Sequence, residues 1–231
     1  MFVLGWGTIP ELRYATAFAS NNPDGITWLT VNFLVEQQSL ADQTGSIEDN
    51  HSLTETYTSS NTGNAFEFGI TSMSEDPTTN PTLFMTAWTH GSFDGWNISG
   101  FVSTNPAIVP GVFQPPVGTS PQFGFEIISG SVYFTYNGQA YGFIPASHWP
   151  GGFGVVAGSQ TYAEVYNNSP GGSPVPTMNG QISSYQTSTG SDLYGVAIST
   201  PYVLSGVSPA GFTFNGGTPL LASSWAVMAR V

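Results

Sequence analysis

Turn-forming residues divide this chain into short segments, and this division limits the folds that it can adopt. Glycine (28 residues) and proline (17 residues) are spread along all 231 positions, often beside asparagine, aspartate or serine. Between these breaks the side chains alternate between apolar and polar, which is the period of a β-strand. Turn signals at intervals of roughly 8–12 residues are typical of β-sandwiches. No stretch of the sequence keeps apolar residues at helical spacing over several turns.

We therefore expect an all-β fold, an antiparallel β-sandwich of two large packed sheets. Single domains of this class commonly reach roughly 200–250 residues, so residues 1–231 are interpreted as one domain. The hydrophobic fraction of 40% is sufficient for a core between two sheets. The main predicted strands cover residues 12–18, 26–35, 53–58, 65–70, 83–89, 98–104, 123–128, 131–136, 139–144, 161–166, 193–199 and 224–231.

Turn chemistry adds local predictions. The first two strands are expected to form a hairpin, because residues 21–25 (Asn-Asn-Pro-Asp-Gly) are a strong turn signal. Residues 90–96 are interpreted as a loop, and residues 145–152 as a loop or a short helical turn. The Asn-Gly pair at residues 137–138 predicts a two-residue turn inside a three-strand meander.

Charge is sparse and mostly negative. Besides Arg13 and Arg230, the only basic residues are His51, His90 and His148, against 14 acids, and the net charge is −12 at pH 7. This excludes nucleic acid and anionic membrane surfaces as expected partners, since both are bound through cations. No apolar run reaches transmembrane length. With all carboxylates protonated, two arginines, three histidines and the α-amino group give at most six positive charges. We therefore expect the fold to survive at about pH 2–4.

Metal and cofactor sites are not expected. Cysteine is absent and the three histidines are far apart in sequence, so no zinc spacing exists. The acids at positions 48, 49, 75 and 76 are typical of solvated loops, with a weak calcium site as the alternative. His148 is interpreted as a packing or capping residue, and Trp88 as a core aromatic or a ligand-binding surface.

Two glutamates occupy the middle of predicted strands. In residues 160–166, Gln160, Tyr162, Glu164 and Tyr166 share one strand face. In residues 65–70, Glu67 lies opposite an apolar face of two phenylalanines and an isoleucine. Glutamate is depleted in strands, which makes the two acids candidates for a paired site. For either one alone, a solvent-facing position on a half-exposed sheet is the simpler interpretation.

From residue 51 onward, a series of short segments resembles the neprosin family of glutamic peptidases. Residues 52–57 (Ser-Leu-Thr-Glu-Thr-Tyr) resemble that family's Ser-Leu-Ser-Gln-x-Trp, and residues 64–69 (Asn-Ala-Phe-Glu-Phe-Gly) are similar to its Asn-x-Ile-Glu-Ala-Gly. Residues 162–165 (Tyr-Ala-Glu-Val) are similar to its Gly-Gly-Glu-Val, and residues 83–89, 94–102, 141–147 and 177–180 continue the series. The family's cysteine pair is missing, with Trp96 at one of its positions, and Glu55 replaces its active-site glutamine.

This resemblance implies a secreted, acid-active endopeptidase of the β-sandwich fold, which in characterised members cleaves next to proline. It implies that the catalytic residues are Glu67 and Glu164. The partner would be a peptide or protein substrate, and we expect a monomer without a cofactor. Substrate-binding or supporting roles are expected for Glu55, Tyr57, Trp88, Gln160, Tyr162 and Tyr166.

Two facing carboxylates cannot both ionise cheaply, so such a pair retains one proton over an acid range. The ionised member takes a proton from water as the water attacks the amide carbonyl, and the protonated member polarises that carbonyl. This mechanism requires the carboxyl groups of Glu67 and Glu164 to lie within hydrogen-bonding distance or one bridging water.

Two alternatives remain open at this level. The abundant aromatic, asparagine and glycine residues also suit a non-catalytic carbohydrate-binding or surface module. A glycoside hydrolase could use the same two carboxylates, but only at a particular separation that the sequence does not supply.

Overall fold

The computed structural model describes residues 13–22, 25–35, 47–58, 63–73, 80–167, 180–188, 202–208 and 211–214. These residues form two antiparallel sheets, which confirms the all-β sandwich. The six-stranded sheet contains, in spatial order, β1 (Arg13–Asn22), β11 (Val156–Asn167), β3 (Ile47–Thr58), β4 (Ala65–Met73), β5 (Thr82–Thr89) and β6 (Ser92–Trp96).

The eight-stranded sheet faces it. In spatial order its strands are β14 (Gly211–Phe214), β13 (Tyr202–Ser208), β12 (Gly180–Thr187), β2 (Trp28–Phe33), β8 (Gln122–Ile128), β9 (Ser131–Tyr136), β10 (Gln139–Ile144) and β7 (Val102–Ser103). A single 3-10 turn, Ala146–His148, follows β10. Within the described ranges, no helix is long and apolar enough to cross a membrane.

Aromatic side chains from both sheets fill the space between them. Phe66 of β4 has no exposed surface, and its ring lies 4.9 Å from that of Phe125, 5.5 Å from Phe134 and 5.0 Å from Phe153. Phe68, two residues further along β4, makes a second set of edge contacts with Phe125 and Phe134. The alternation that predicted the strands thus directs every second residue of β4 into this core.

The meander follows its local sequence signals closely. Strands β8, β9 and β10 pair in succession as predicted. Asn137 and Gly138 both have positive φ angles, 50° and 74°, as a type I′ hairpin turn requires. The same geometry joins β8 to β9 at Ser129 and Gly130, with φ angles of 50° and 78°. The short helical turn expected within residues 145–152 is also present.

The predicted hairpin of the first two strands is wrong. β1 pairs with β11 in the six-stranded sheet, whereas β2 lies between β12 and β8 in the other sheet. β1 ends at Asn22 in one sheet and β2 begins at Trp28 in the other, so the chain passes from one sheet to the other between these residues. The Gly25 amide donates to the Val156 carbonyl at 2.8 Å, at the start of β11. A turn signal indicates where the chain changes direction and does not determine which sheet the next strand joins.

Three further segments differ from expectation. Residues 90–96, interpreted as a loop, contain the whole of strand β6, which a tight turn at His90 and Gly91 joins to β5. The strand predicted over residues 98–104 is only the two-residue β7. The acids at positions 48 and 49 lie in β3 rather than in a loop. The strands predicted at residues 193–199 and 224–231, and the acids at 75 and 76, lie outside the described residues.

Candidate active site

The face of the six-stranded sheet that points away from the core is called the distal face. On β4, Phe66, Phe68 and Ile70 point into the core. Glu67 and Gly69, between them, therefore lie on the distal face. Residues directly opposite each other on paired strands share a face, so the register of each neighbouring strand identifies the other residues of this surface.

One row of register partners crosses the distal face through Glu67. Glu55 of β3 is its direct partner on one side, and Thr86 of β5 is its partner on the other. Gln160 of β11 lies opposite Glu55, and Trp96 of β6 lies opposite Thr86. The register thus brings three of the predicted site positions, Gln160, Glu55 and Glu67, into adjacent places in one row.

Glu67 is buried, with 8% of its surface exposed. The simpler interpretation from sequence, a solvent-facing acid on a half-exposed sheet, is therefore wrong for this residue. Its neighbours along β5 on the same face, Phe84, Thr86 and Trp88, are buried as well. Thr86 is fixed by a hydrogen bond from its Oγ1 to the Gly95 carbonyl at 2.9 Å.

The adjacent row contains two other predicted site residues. Tyr57 of β3 lies opposite Ala65 of β4, and Ala65 lies opposite Trp88 of β5. Trp88 is 7% exposed, and its carbonyl accepts a hydrogen bond from the Trp149 indole at 3.2 Å. Trp88 therefore lies on the distal face, in the row next to that of Glu67, rather than between the two sheets.

Glu164 occupies a different row. Its partner on β3 is Asn50, and the partner of Asn50 on β4 is Thr71, four residues from Glu67. Four residues along a strand span about 13 Å and two inter-strand steps about 10 Å, so the two α-carbons are separated by about 16 Å. The register places Glu164 on the same face as Glu67 but does not bring the two together. Tyr162 lies in the row between them, opposite Leu53, and Tyr166 lies further away, opposite Glu48.

Two exposed aromatic residues at the edge of the distal face were not expected from the sequence. Phe93 and Trp96 of β6 are 39% and 40% exposed, and their ring centroids lie 5.5 Å apart. Trp96 also contacts Phe84 at 5.9 Å, and Phe93 contacts Trp88 at 5.7 Å. Their positions could have been found from the His-Gly pair at residues 90–91, which is a turn signal between two strands.

His148 has a packing role, as interpreted from the sequence. Its Nε2 lies 3.0 Å from Asp94 Oδ2, and the hydroxyl of Thr89 donates to the same oxygen at 2.9 Å. The other ring nitrogen, Nδ1, lies against Gly100, where an added side chain would collide with it. The pair joins the 3-10 turn to the β5–β6 hairpin. Among the described residues, no three histidine, aspartate or glutamate side chains are close enough to bind a metal ion.

No protein-family model and no curated protein matches the chain. Among solved structures, it is similar to a tetrameric galectin from the ball sponge Cinachyrella sp., with 14% identity over 74% of this chain and 98% of the galectin, at a TM-score of 0.39. It is also similar to Scytalido-glutamic peptidase in complex with a peptide-based transition-state analogue, with 10% identity over 89% of this chain and 87% of the peptidase, at a TM-score of 0.36.

A carbohydrate-binding module from Bacillus subtilis is similar at 7% identity over 67% of this chain and 80% of the module, with a TM-score of 0.32. The structural neighbours thus include a galectin, a glutamic peptidase and a carbohydrate-binding module. At these identities and TM-scores they are neighbours in fold, so any function has to rest on the residues of the distal face.

Proposed function

We propose that this chain is an acid-active glutamic peptidase whose substrate lies across the distal face of the six-stranded sheet. The position of Glu67 supports this most directly. It is an ionisable group with 8% exposure, in an inner strand, beside the buried Thr86 and Trp88. Burying a carboxylate costs free energy. An acid kept in such a place is therefore a candidate for a chemical role rather than a surface role.

The proposed reaction is hydrolysis of a peptide bond by a water molecule that two carboxyl groups activate. One carboxyl group must be ionised to accept the water proton, and the other must be protonated to polarise the carbonyl. Such a pair works in acid, where the chain itself carries little positive charge. The family resemblance assigns the two roles to Glu67 and Glu164. Both residues lie on the distal face, but the register separates their α-carbons by about 16 Å.

The family resemblance extends this proposal to the partner and the location of the protein. The partner is a peptide or protein, the protein acts as a secreted monomer, and neither a metal nor an organic cofactor is needed. Cleavage next to proline is the specificity that the resemblance suggests.

The direct test is digestion of unfolded casein and of proline-containing peptides at about pH 3, with the wild type and three variants. Glu67→Gln keeps the size of the side chain but cannot gain or lose a proton, so we expect its activity to fall by at least about 100-fold. Glu164→Gln tests the second role that the resemblance assigns. Glu126→Gln is the matched control, because Glu126 is exposed on β8 of the other sheet.

Circular dichroism establishes that each variant is folded. Full activity in a folded Glu67→Gln variant would refute the assignment of Glu67. Absence of proteolysis by the wild type across about pH 2–6, the range in which paired carboxyls titrate, would refute the peptidase proposal itself.

The exposed aromatic pair supports a second candidate function. Phe93 and Trp96 offer adjacent ring surfaces at the edge of the distal face, and such surfaces suit sugar rings as well as apolar side chains. Titration calorimetry with oligosaccharides separates the two functions. Binding that Trp96→Ala abolishes, without proteolysis, would favour a carbohydrate-binding module. Release of reducing sugars that depends on Glu67 would favour a glycoside hydrolase.

A further inference from the structure

The register raises a question that the proposed function leaves open, namely which residue supplies the second carboxyl group. Glu55 is the direct cross-strand partner of Glu67. Directly opposite residues of an antiparallel pair have β-carbons about 4.5–5.5 Å apart. Glu164 is offset from Glu67 by two strands and by four residues along β4.

We propose that Glu55 is the second carboxyl group of the site and that Glu55 and Glu67 share one proton in acid. This inference rests on the proposed hydrolytic function, but the pairing itself can be tested without it. Like charges directly opposite each other destabilise a sheet, so two ionised carboxylates at these positions would oppose folding. Retention of one proton by the pair removes that repulsion.

Burial of Glu67 also favours retention of a proton by the pair. Glu67 is 8% exposed, and loss of solvent disfavours the ionised form of a carboxyl group. The pair is therefore expected to lose its protons in two separate steps, and these steps belong to the pair rather than to either residue. Between the two steps it holds one proton, which is the state that acid–base hydrolysis requires.

Gln160 completes the row on the far side of Glu55. A side-chain amide both donates and accepts hydrogen bonds, so an amide at this position is compatible with either protonation state of Glu55. A third carboxyl group there would instead add negative charge to the pair. The row therefore places a neutral polar residue next to the two acids.

The reaction balances with this pair alone. Water forms a bond from its oxygen to the amide carbon and gives one proton to the ionised carboxylate. The protonated carboxyl gives its proton to the carbonyl oxygen, which becomes a hydroxyl in the tetrahedral intermediate. In the second half, the leaving nitrogen takes the proton that came from water, and the C–N bond breaks. The intermediate's hydroxyl returns its proton, so that the pair again holds one proton.

The pairing is tested by carbon-13 NMR of glutamate carboxyl groups during a pH titration of the whole chain. In the wild type we expect the Glu67 signal to titrate in two steps. In Glu55→Gln the higher step should disappear and the midpoint should move down by at least about one pH unit, since coupled carboxyls interact by this amount or more. Glu126→Gln, on the other sheet, is the matched control and should leave both steps in place, and Glu164→Gln tests the rival partner.

Glu67→Gln provides the reciprocal measurement if Glu55→Gln does not fold, because the Glu55 signal should then become a single step. A Glu67 titration that Glu164→Gln changes and Glu55→Gln does not would overturn the inference. So would a single-step titration of Glu67 in the wild type.

The peptidase assay gives an independent result. Loss of activity by about 100-fold or more in Glu55→Gln, with activity retained in the control Glu126→Gln, supports Glu55 as the partner. Full activity in Glu55→Gln together with loss of activity in Glu164→Gln refutes the inference and leaves the peptidase proposal intact. A coupled titration of Glu55 and Glu67 in a protein without proteolysis refutes the peptidase proposal and supports the pairing.

Discussion

Replacing Tyr141 with phenylalanine is expected to stabilise the fold. The side chain is completely buried in β10, with its ring centroid 6.0 Å from that of Phe101 and 6.3 Å from that of Phe134. Its hydroxyl has no hydrogen-bond partner among the described residues. The backbone carbonyl of Tyr141 accepts bonds from Thr104 and Asn105, which the substitution leaves in place.

The magnitude follows from the unsatisfied hydroxyl. A buried polar group without a partner costs about 1–3 kcal/mol, and Tyr141→Phe removes the group while it keeps the ring. For a chain of this length, each kcal/mol corresponds to roughly 3 °C in Tm. We therefore expect Tm to rise by several degrees in differential scanning calorimetry at pH 7. Tyr133→Phe is the control, because Tyr133 is half-buried and stacked on Phe143, and it should change the free energy of unfolding by less than about 0.5 kcal/mol.

The buried hydroxyl of Tyr141 also leads to a prediction about stability at alkaline pH. Burial raises the pKa of Tyr141 above its ordinary value of 10.0. Above that value the unfolded chain loses the phenolic proton while the folded chain retains it, so the free energy of unfolding falls as pH rises. The slope is about 1.4 kcal/mol per pH unit. Urea melts at about pH 10 and pH 11 should show this loss in the wild type but not in Tyr141→Phe. A lower Tm for the variant, or an identical alkaline slope, would refute the argument.

Two further predictions concern the core and the charge balance. Phe66→Ala should lower the free energy of unfolding by about 3–5 kcal/mol in urea melts, because it opens a cavity among three aromatic rings. Phe93→Ala, at an exposed position, should lower it by less than about 1 kcal/mol. Equal losses in the two variants would contradict the assigned core. Circular dichroism should show the β-sheet signal retained down to about pH 2, since protonated chains carry at most six positive charges; cooperative unfolding above about pH 4 would contradict this reasoning.

The parts of the fold that local sequence determines were predicted well. The β8–β9–β10 meander has short strands, clear alternation and two-residue turns, so each strand pairs with its neighbour in sequence. β1 and β11 are different, because more than a hundred residues separate them and no turn connects them. Which strands meet over such a distance depends on how the two sheets pack, and a single sequence carries little information about this.

The same difference between local and long-range information applies to the candidate site. Side-chain alternation determines which face of a strand a residue occupies, and the strand register places Glu67 on the same face as the alternate residues Gln160, Tyr162, Glu164 and Tyr166. Alternation does not determine which residue of the neighbouring strand lies directly opposite. A slip of two or four residues between β11 and β3 keeps every side chain on its face but changes which residues are opposite each other.

A slip of four residues in the ladder that joins β11, β3 and β4 would bring Glu164 into the row of Glu67, with β3 still between the two residues. The present register instead places Glu55 opposite Glu67 in the ladder of β3 and β4, which follow each other in the chain. β3 has an irregularity in register between Asn50 and Ser52. The residues of β11 and β4 keep the same alignment with each other on both sides of it, so the offset between Glu164 and Glu67 is unaffected. A change of register between β11 and β3 would therefore alter the distance from Glu67 to Glu164, but it would leave Glu55 opposite Glu67. This physical difference is the reason to titrate Glu55 before Glu164.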